Sequence, residues 1–399
     1  MSVQSLPALG TLQLMAVAKM IVWTSPWGAL AAMFGLYVSL LLALAYLIAD
    51  VTGSPRSTSL WSVALLGLSY PSLFMLDRGN FHSGYASVAV AIYLLTAFTG
   101  KRRWVGFIAL IYAINVRPNE ALITIIEFAL ADGVWRALGV QVGVAAASVA
   151  VWAVSLVAAH AIDPSYTLDA FIKAYGLYHQ SYIFQDGGLS WNDSLYGAVR
   201  SVWSLSGAVP SYNAAAAMLV TICGVFLGLG YLWLALTRRL TPVEAIFLAV
   251  ALCALFTPVL GHYHALMLAG PALVLLQLMR RRAANVEMLP IAGAFAVLPL
   301  LSLLVWLKPS ELTAIISIVG AVFVSGALWR LGHRNRSLSQ TEGLILGTSL
   351  LSLCPLGGAL TNGLEISTLL VAASIIIIAT SWKRSGAPIA FFPGTVAVA

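Results

Sequence analysis

Side chains able to do chemistry gather in four short stretches of a sequence that otherwise consists of long apolar segments. They are Asp77-Arg78-Gly79-Asn80-Phe81-His82, Arg117-Pro118-Asn119-Glu120, His179-Gln180 with the later Asn192, and Gly261-His262-Tyr263-His264. Carboxylates can take up a proton, and arginine matches phosphate oxygens as a planar fork. Asparagine, glutamine and histidine bind hydroxyl groups. Together these residue types are suited to group transfer on an anionic, hydroxylated ligand.

The first two stretches each allow a structural and a functional interpretation. Gly79 and Asn80 could simply make a turn next to a solvated Asp77–Arg78 pair, or the two charges could orient a ligand. Charges near the bilayer centre cost about 2.5–3.5 kcal/mol on insertion scales and are functional candidates by default. Arg117 is therefore a candidate phosphate clamp, with a structural pair to Glu120 or Asp77 as the alternative.

The other two stretches are less specific. Asn192-Asp193-Ser194 is formally a glycosylation sequon, and the loop around it could either bind a sugar or lay aromatic rings on the bilayer. His262 and His264 could bind a metal, pack at the interface or contact a ligand. Zinc needs three or four ligands with suitable spacing, which the sequence does not offer. We predict no metal and no other cofactor, while a divalent ion stays an open alternative.

The composition sets the fold class. Of 399 residues, 60% are hydrophobic and 9% are charged, whereas soluble domains carry about 25% charged residues. This excludes a soluble enzyme, a disordered chain and a nucleic-acid-binding domain, despite the formal charge of +7. The sequence predicts an all-α, polytopic transmembrane helical bundle with about 11–13 membrane segments.

Basic residues cluster in short loops, as the positive-inside rule requires of cytoplasmic loops. The clusters are Lys101-Arg102-Arg103, Arg238-Arg239, Arg280-Arg281-Arg282, Arg330 with Arg334 and Arg336, and Lys383-Arg384. All four chemical stretches then fall on the opposite, extracytoplasmic face. The longest extracytoplasmic segment, 161–212, is rich in aromatic residues, and we expect part of it to lie along the bilayer as an amphipathic helix.

Two apolar stretches, 104–117 and 119–133, are too short to span a bilayer. Each reaches about 21 Å as α-helix, against a hydrocarbon core of about 30 Å. Broken helices are tolerated where protein or a wet cavity covers their ends, so the turn at Arg117–Glu120 is a place to look for function. Glu127, two turns further on, is expected to be the buried partner of a basic residue. The apolar run at 60–76 predicts a further membrane span.

The four stretches, in this order, resemble glycosyltransferase family 87, the C-type membrane glycosyltransferases typified by polyprenol-phosphate-mannose-dependent α-mannosyltransferases. The resemblance rests on Leu76-Asp77-Arg78-Gly79-Asn80-Phe81, a short span ending in Arg117-Pro118-Asn119, Asn192-Asp193-Ser194-Leu195-Tyr196-Gly197, and Gly261-His262-Tyr263-His264. It covers roughly residues 10–285. Arg117 stands where the family commonly has lysine, before the proline of the short span.

The resemblance implies an inverting hexosyltransferase that moves mannose or a related sugar from a polyprenyl-phosphate donor to a hydroxyl of a glycolipid or glycan. Residues 1–285 would form the membrane-embedded core, with the extracytoplasmic loop 161–212, and 286–399 would add C-terminal transmembrane helices. Localisation would be multi-pass in the plasma membrane, most simply the bacterial inner membrane. The lipid bilayer is an expected partner and nucleic acid is not.

The resemblance also implies roles for individual residues. The family's catalytic acid usually lies in its first extracytoplasmic loop, and this chain is expected to start inside or after that loop. Asp77 is therefore the first candidate base and Glu120 the second, with an inactive chain as the alternative. Phosphate would be held by Arg117, His262 and His264, and sugar or acceptor by Asn80, His179, Gln180 and Asn192. Arg78, His82 and Asn119 are further candidates for substrate binding. The competing functions are a secondary transporter or flippase of a lipid-linked or polar substrate, and a degenerate scaffolding protein.

Overall fold

The structure is a computed structural model, and it describes residues 24–52, 56–78, 80–100, 102–179, 194–204, 214–257, 266–282, 311–334, 338–352 and 364–384, together with Lys19, Asn192 and Leu301. All regular elements in these ranges are helices. In chain order they are α1 (Pro26–Thr52), α2 (Arg56–Gly67), α3 (Tyr70–Arg78), α4 (Phe81–Thr99), α5 (Arg103–Val116), a 3-10 segment (Pro118–Ile126), α6 (Glu127–Leu130), α7 (Val134–Ile162), α8 (Leu168–His179), α9 (Leu195–Ser204), α10 (Ala214–Leu236), α11 (Pro242–Phe256), α12 (Ala269–Arg282), α13 (Glu311–Arg334), α14 (Gln340–Ser352) and α15 (Leu364–Trp382).

Three of these helices, α1, α7 and α10, are long and apolar enough to cross a membrane, judged by length and composition. They also carry large apolar side chains on their outer faces. On α7, Val149, Val154 and Val157 are all exposed. A contiguous apolar surface of this kind is unfavourable in water and suits contact with lipid tails. The expected all-α class is thus confirmed for the described residues, and three helices of spanning length indicate membrane association.

The core is built around α11. Every residue from Val243 to Leu255 is buried, so this helix is covered on all sides. Its start is defined by a capping box: Glu244 N donates to Thr241 Oγ1, and Thr241 N donates to the Glu244 carboxylate at 2.9 Å. A reciprocal cap of this type satisfies two backbone donors that the helix start leaves open. The helices α10, α12, α14 and α15, together with the 3-10 segment, pack around α11.

Charged side chains join the helix termini at one end of the molecule, which we call the basic end. Five contacts define it: Arg102 Nε–Asp50 Oδ2 at 2.9 Å, Arg103–Glu127, Arg238 Nη1–Ala129 O at 2.9 Å, Arg239 Nη1–Trp382 O at 2.6 Å, and a two-pronged Arg384–Glu244 pair at 2.6 and 2.8 Å. Since these contacts link the ends of α1, α6, α10 and α15 to the starts of α5 and α11, three of the five basic clusters lie together, those at Arg102–Arg103, Arg238–Arg239 and Lys383–Arg384.

Glu127 has the buried basic partner that the sequence predicts. Its carboxylate is fully buried, pairs with Arg103 at the start of α5, and accepts a hydrogen bond from Tyr93 Oη at 2.7 Å. Because the carboxylate is paired and hydrogen-bonded, its burial does not leave an uncompensated charge. The pair closes the base of a hairpin formed by α5 on one side and the 3-10 segment with α6 on the other.

The predicted continuous span at 60–76 is wrong. The chain breaks after α2 and resumes at α3, with Leu68 and Ser69 in between. Pro71 lacks the N–H that a continuous helix would donate to a carbonyl one turn earlier. The Ser69 and Ser72 hydroxyls each donate to Leu66 O at 2.7 Å, and Ser69 N donates to the same carbonyl at 3.1 Å, so Leu66 O is satisfied where α2 ends. The apolar run at 286–306, which by its length also predicts a span, falls outside the described residues apart from Leu301.

Candidate functional site

The tip of the α5 hairpin is shaped by proline. Arg117 has extended backbone angles (φ −143°, ψ 97°), as expected of a residue that precedes proline, and α5 therefore ends at Val116. Pro118 occupies the first position of the 3-10 segment, where a missing N–H costs nothing. Arg117 N still donates to Ala113 O at 2.7 Å. The turn that the sequence singles out is therefore a rigid corner facing away from the basic end.

The return limb of the hairpin begins as a nine-residue 3-10 helix, which is long for this type since runs beyond three or four residues are uncommon. Ile123, Thr124, Ile125 and Ile126 are all β-branched and disfavour the ordinary α-helix slightly. In a 3-10 helix every third side chain is aligned. The aligned residues Glu120, Ile123 and Ile126 are the buried ones. This row packs against α11.

An ion pair lies at the corner. Arg117 Nη1 is 3.1 Å from Glu120 Oε1, and the side chains are 11% and 1% exposed. From α11, Cys253 Sγ lies 3.4 Å from Asn119 O and 3.6 Å from Glu120 Oε2, so its thiol can donate to either oxygen. Desolvating two charges costs several kcal/mol per ion, and their mutual attraction only partly offsets that cost. The structural alternative for Arg117, a pair with Glu120, is thus present. This contact uses one of the five N–H donors of the guanidinium group, which leaves four for a ligand.

Two residues of the first stretch stand at the same end of the bundle as this pair. Asn80 precedes α4 and accepts a hydrogen bond from Ser83 Oγ at 3.1 Å on its Oδ1. His82, the second residue of α4, lies within electrostatic range of Arg117. The structure therefore brings Asn80, His82, Arg117, Asn119 and Glu120 to one end of the bundle, opposite the basic end. We call these five residues the corner site.

The other candidates are described in part or not at all. Asp77 and Arg78 end α3, three and two residues before Asn80, which places their backbone beside the corner site. His179 ends α8. Gln180, His262 and His264 lie outside the described residues. The predicted amphipathic helix within 161–212 exists as α8, where Phe171 packs on Trp152 and Tyr175 while Asp169 and Lys173 pair on the opposite, exposed side.

Asn192 belongs to a hydrogen-bonded cap at the start of α9. Its buried Oδ1 accepts from Ser194 N at 3.1 Å, and Ser194 Oγ in turn accepts from Gly197 N at 3.1 Å, which caps the start of α9. A Cβ at Gly197 would lie 2.3 Å from Asn192 O, so only glycine fits there. The spacing of Asn192, Ser194 and Gly197 is thus explained by a helix cap. Its proposed contact with sugar stays a prediction.

Sequence reasoning missed two buried residues. Cys253 looks like a packing residue inside an apolar segment, and only its position one turn before the end of α11 could have placed it at the level of the corner site. Arg200 is the other: its side chain is buried on α9, with the guanidinium 5.7 Å from the centre of the Tyr196 ring. An arginine in the middle of the short amphipathic α9 was the available signal.

Metal binding has no support in the geometry of the described residues, where no three His, Cys, Asp or Glu side chains are grouped closely enough to hold an ion. The corner site offers one arginine, one histidine and one carboxylate, which suit an anionic ligand better than a cation. Comparison with known proteins adds no relative: no family model, no curated protein and no solved structure matches this chain.

Proposed function

We propose that this chain is a multi-pass plasma-membrane glycosyltransferase that moves a sugar, mannose or a related hexose, from a polyprenyl-phosphate donor to an acceptor hydroxyl on the extracytoplasmic face. The observation that carries the proposal is the corner site itself. A nearly buried Arg117–Glu120 pair, with His82 within electrostatic range of Arg117, stands at the end of the bundle opposite the basic end. Such a pair is costly to maintain, and structural need alone is met more cheaply by apolar packing.

The membrane placement supports the donor class. A polyprenyl tail needs an apolar path to the active site, and the outer faces of α1, α7 and α10 offer apolar surface over the length of a bilayer leaflet and more. The shorter apolar helices complete a bundle of alternating direction if each basic loop faces the cytoplasm. The lipid-phosphate would then reach the corner site from the bilayer side, and the acceptor from water.

The expected reaction is a displacement at the anomeric carbon. The acceptor oxygen forms a bond to that carbon as its proton passes to a carboxylate, and the bond from carbon to the phosphate oxygen breaks. The electron pair leaves with the phosphate, whose growing negative charge a guanidinium stabilises. Configuration at the anomeric carbon inverts, because attack and departure occur on opposite faces.

Contacts at the corner site favour a division of roles. Glu120 Oε1 is engaged by Arg117 and Oε2 by Cys253. This leaves Glu120 poorly suited to take up the acceptor proton and well suited to orient the guanidinium. We therefore assign Arg117 to the phosphate, Glu120 to positioning Arg117, and Asp77 to the base. Asn80 and His82 are assigned to the sugar or acceptor.

The test is transfer of radiolabelled sugar from a polyprenyl-phosphate sugar by the purified protein. Asp77→Asn should abolish transfer, and Arg117→Lys should reduce it because lysine keeps the charge and loses the fork. Arg136→Gln is the matched control, since Arg136 pairs loosely with Asp132 in an exposed position at the basic end. Wild-type protein that transfers no sugar to any glycolipid or glycan acceptor would contradict the proposal.

A secondary transporter is the second candidate, and the 3-10 segment is the observation that favours it. Transporters bind substrate at interrupted helices, and the limb from Pro118 to Ile126 is an interruption of that kind. Proteoliposomes assayed for uptake without acceptor, and for transfer with acceptor added, separate the two functions. Uptake of a lipid-linked or polar sugar without transfer supports the carrier, whereas transfer without uptake supports the enzyme.

A further inference from the structure

Helix α13 has one exposed apolar face that follows the helix for several turns. Leu312, Ile315, Val319, Val322 and Phe323 are exposed on it, and Phe323 is 79% exposed. Their spacing of three and four residues puts them on a single side of an α-helix. The stretch from Leu312 to Phe323 covers about 17 Å, roughly the depth of one bilayer leaflet's acyl chains.

The same face ends in polar side chains. Arg330 lies eighteen residues after Leu312, five whole turns of helix, and is exposed, as are His333 and Arg334. The His333 ring stacks on Trp329 with centroids 5.7 Å apart and an angle of 16°. Tryptophan prefers the membrane–water boundary. Thus an apolar stripe, an interfacial ring and two guanidinium groups follow each other along one side of α13.

The two arginines of α13 differ from most arginines of the basic end. Arg102, Arg103, Arg136 and Arg384 each pair with a carboxylate. Arg238 and Arg239 donate to backbone carbonyls. Within the part of the chain that the structure describes, Arg330 and Arg334 have no acidic partner. Two neighbouring positive charges at the top of an apolar stripe are complementary to a molecule with an anionic head and apolar tails.

Small side chains separate the apolar part of this helix face from its two arginines. Gly326 and Ala327 are exposed there, and a Cβ at Gly326 would meet no atom within 4 Å. Trp329 is held in place from the other side, because its indole lies against Gly343 of α14, where a Cβ would overlap it. The small residues leave room for a bulky group between Phe323 and Arg330.

We propose that this face binds one anionic phospholipid, with acyl chains along Leu312–Phe323, the glycerol at Gly326–Ala327 and the phosphate on Arg330 and Arg334. The inference rests on the sequence-based expectation that the helices within 286–399 are transmembrane, and it is independent of sugar transfer. Charge complementarity favours this occupant over an apolar helix of a protein partner, which would leave two arginines unpaired. It also favours an anionic over a zwitterionic headgroup.

Native mass spectrometry of the purified full-length protein tests the proposal, with dioleoyl phosphatidylglycerol and dioleoyl phosphatidylcholine as the two probes. We expect one phosphatidylglycerol to be retained in preference to phosphatidylcholine. Arg330→Gln/Arg334→Gln should weaken that binding by about tenfold or more. The control Arg136→Gln/Lys383→Gln removes the same number of exposed charges from the basic end and should leave it unchanged within about twofold. Equal retention of both lipids by the wild type, or equal losses in both double variants, would overturn the proposal.

Hydrogen exchange keeps the proposal falsifiable should the arginine variant not fold. In nanodiscs, amides of residues 329–334 should exchange more slowly when phosphatidylglycerol replaces phosphatidylcholine, while those of the exposed α8 should not respond. The same comparison with inorganic phosphate added to phosphatidylcholine nanodiscs should leave 329–334 unprotected, because the tails contribute to binding. Protection by phosphate alone, or none by phosphatidylglycerol, would refute lipid binding at this face.

Discussion

Cys253 and Glu120 lie 133 residues apart in sequence, and the sulfur of one is 3.6 Å from a carboxylate oxygen of the other. This contact, with the one at 3.4 Å to Asn119 O, joins the tip of the α5 hairpin to the most deeply buried helix of the molecule. The corner site is therefore held from two directions, by Arg117 within the hairpin and by Cys253 from α11.

Replacing Cys253 tests that link. Cys253→Ala removes a buried sulfur and the donor to Glu120, and we expect it to lower the free energy of unfolding by about 1–2 kcal/mol. Cys253→Ser keeps a donor and should be less damaging to transfer activity than alanine. Thermal unfolding in detergent and the transfer assay measure the two effects. Cys223→Ala is the control, since Cys223 is only half-buried on α10; a loss as large as that at Cys253 would contradict the expectation.

The Arg117–Glu120 pair should show strong energetic coupling. Glu120→Gln or Arg117→Gln alone leaves a buried charge without its partner and should destabilise the protein by about 3–5 kcal/mol, whereas the double variant should recover part of that loss. A double-mutant cycle followed by thermal unfolding measures the coupling. The Arg136–Asp132 pair, separated by 3.7 Å and exposed, should give at most about 0.5 kcal/mol in the same cycle. Equal coupling in both pairs would show that burial does not matter here.

The C-terminal helix should depend on a single arginine. Arg384 binds both oxygens of the fully buried Glu244, and this pairing raises the pKa of Arg384. Arg384→Gln should cost about 3–5 kcal/mol and loosen α15 from α11, because Glu244 keeps only its capping contacts. Lys383→Gln, one residue earlier and exposed, should change stability by less than about 0.5 kcal/mol. Limited proteolysis after α15, together with thermal unfolding, reports both.

Orientation in the membrane can be tested by labelling single cysteines in a background without Cys223, Cys253 and Cys354. Gly176 on α8 has open space for a side chain, and Asp132 at the basic end is 88% exposed. An impermeant maleimide should label Gly176→Cys in intact cells and Asp132→Cys only after permeabilisation. The reverse pattern would place the corner site in the cytoplasm and contradict the proposed donor chemistry.

Helix limits set by composition were predictable, and those set by side-chain hydrogen bonds were not. The apolar run 214–236 by itself predicts a membrane-spanning helix, and it coincides with α10, because an unbroken apolar run bounded by polar residues leaves little choice. The break between α2 and α3 depends on serine hydroxyls that satisfy one carbonyl, which periodicity does not reveal. A long 3-10 segment was likewise unpredicted, because its α-helical alternative has the same sequence pattern.

At the corner site too, some residues could be predicted from the sequence and others could not. Arg117 and Glu120 were identified because charge at membrane depth is rare and because Pro118 marks a turn. Cys253 was missed because its contact partner is brought close only by the packing of the 3-10 segment on α11. Asn192 was predicted to bind sugar from its residue type, and its buried helix-capping contacts became visible only in the structure.

The winding of the return limb determines where Glu120 stands. Glu127, seven residues later, is anchored to Arg103 at the basic end. Rewinding Pro118–Ile126 as α-helix would shorten it by about 4–5 Å, since the rise per residue drops from about 2.0 to 1.5 Å. With about 20° less turn per residue, Glu120 would rotate by about 140° relative to Glu127. The carboxylate would then point away from Cys253. The contact between Glu120 and Cys253 therefore exists only with the 3-10 winding of this segment.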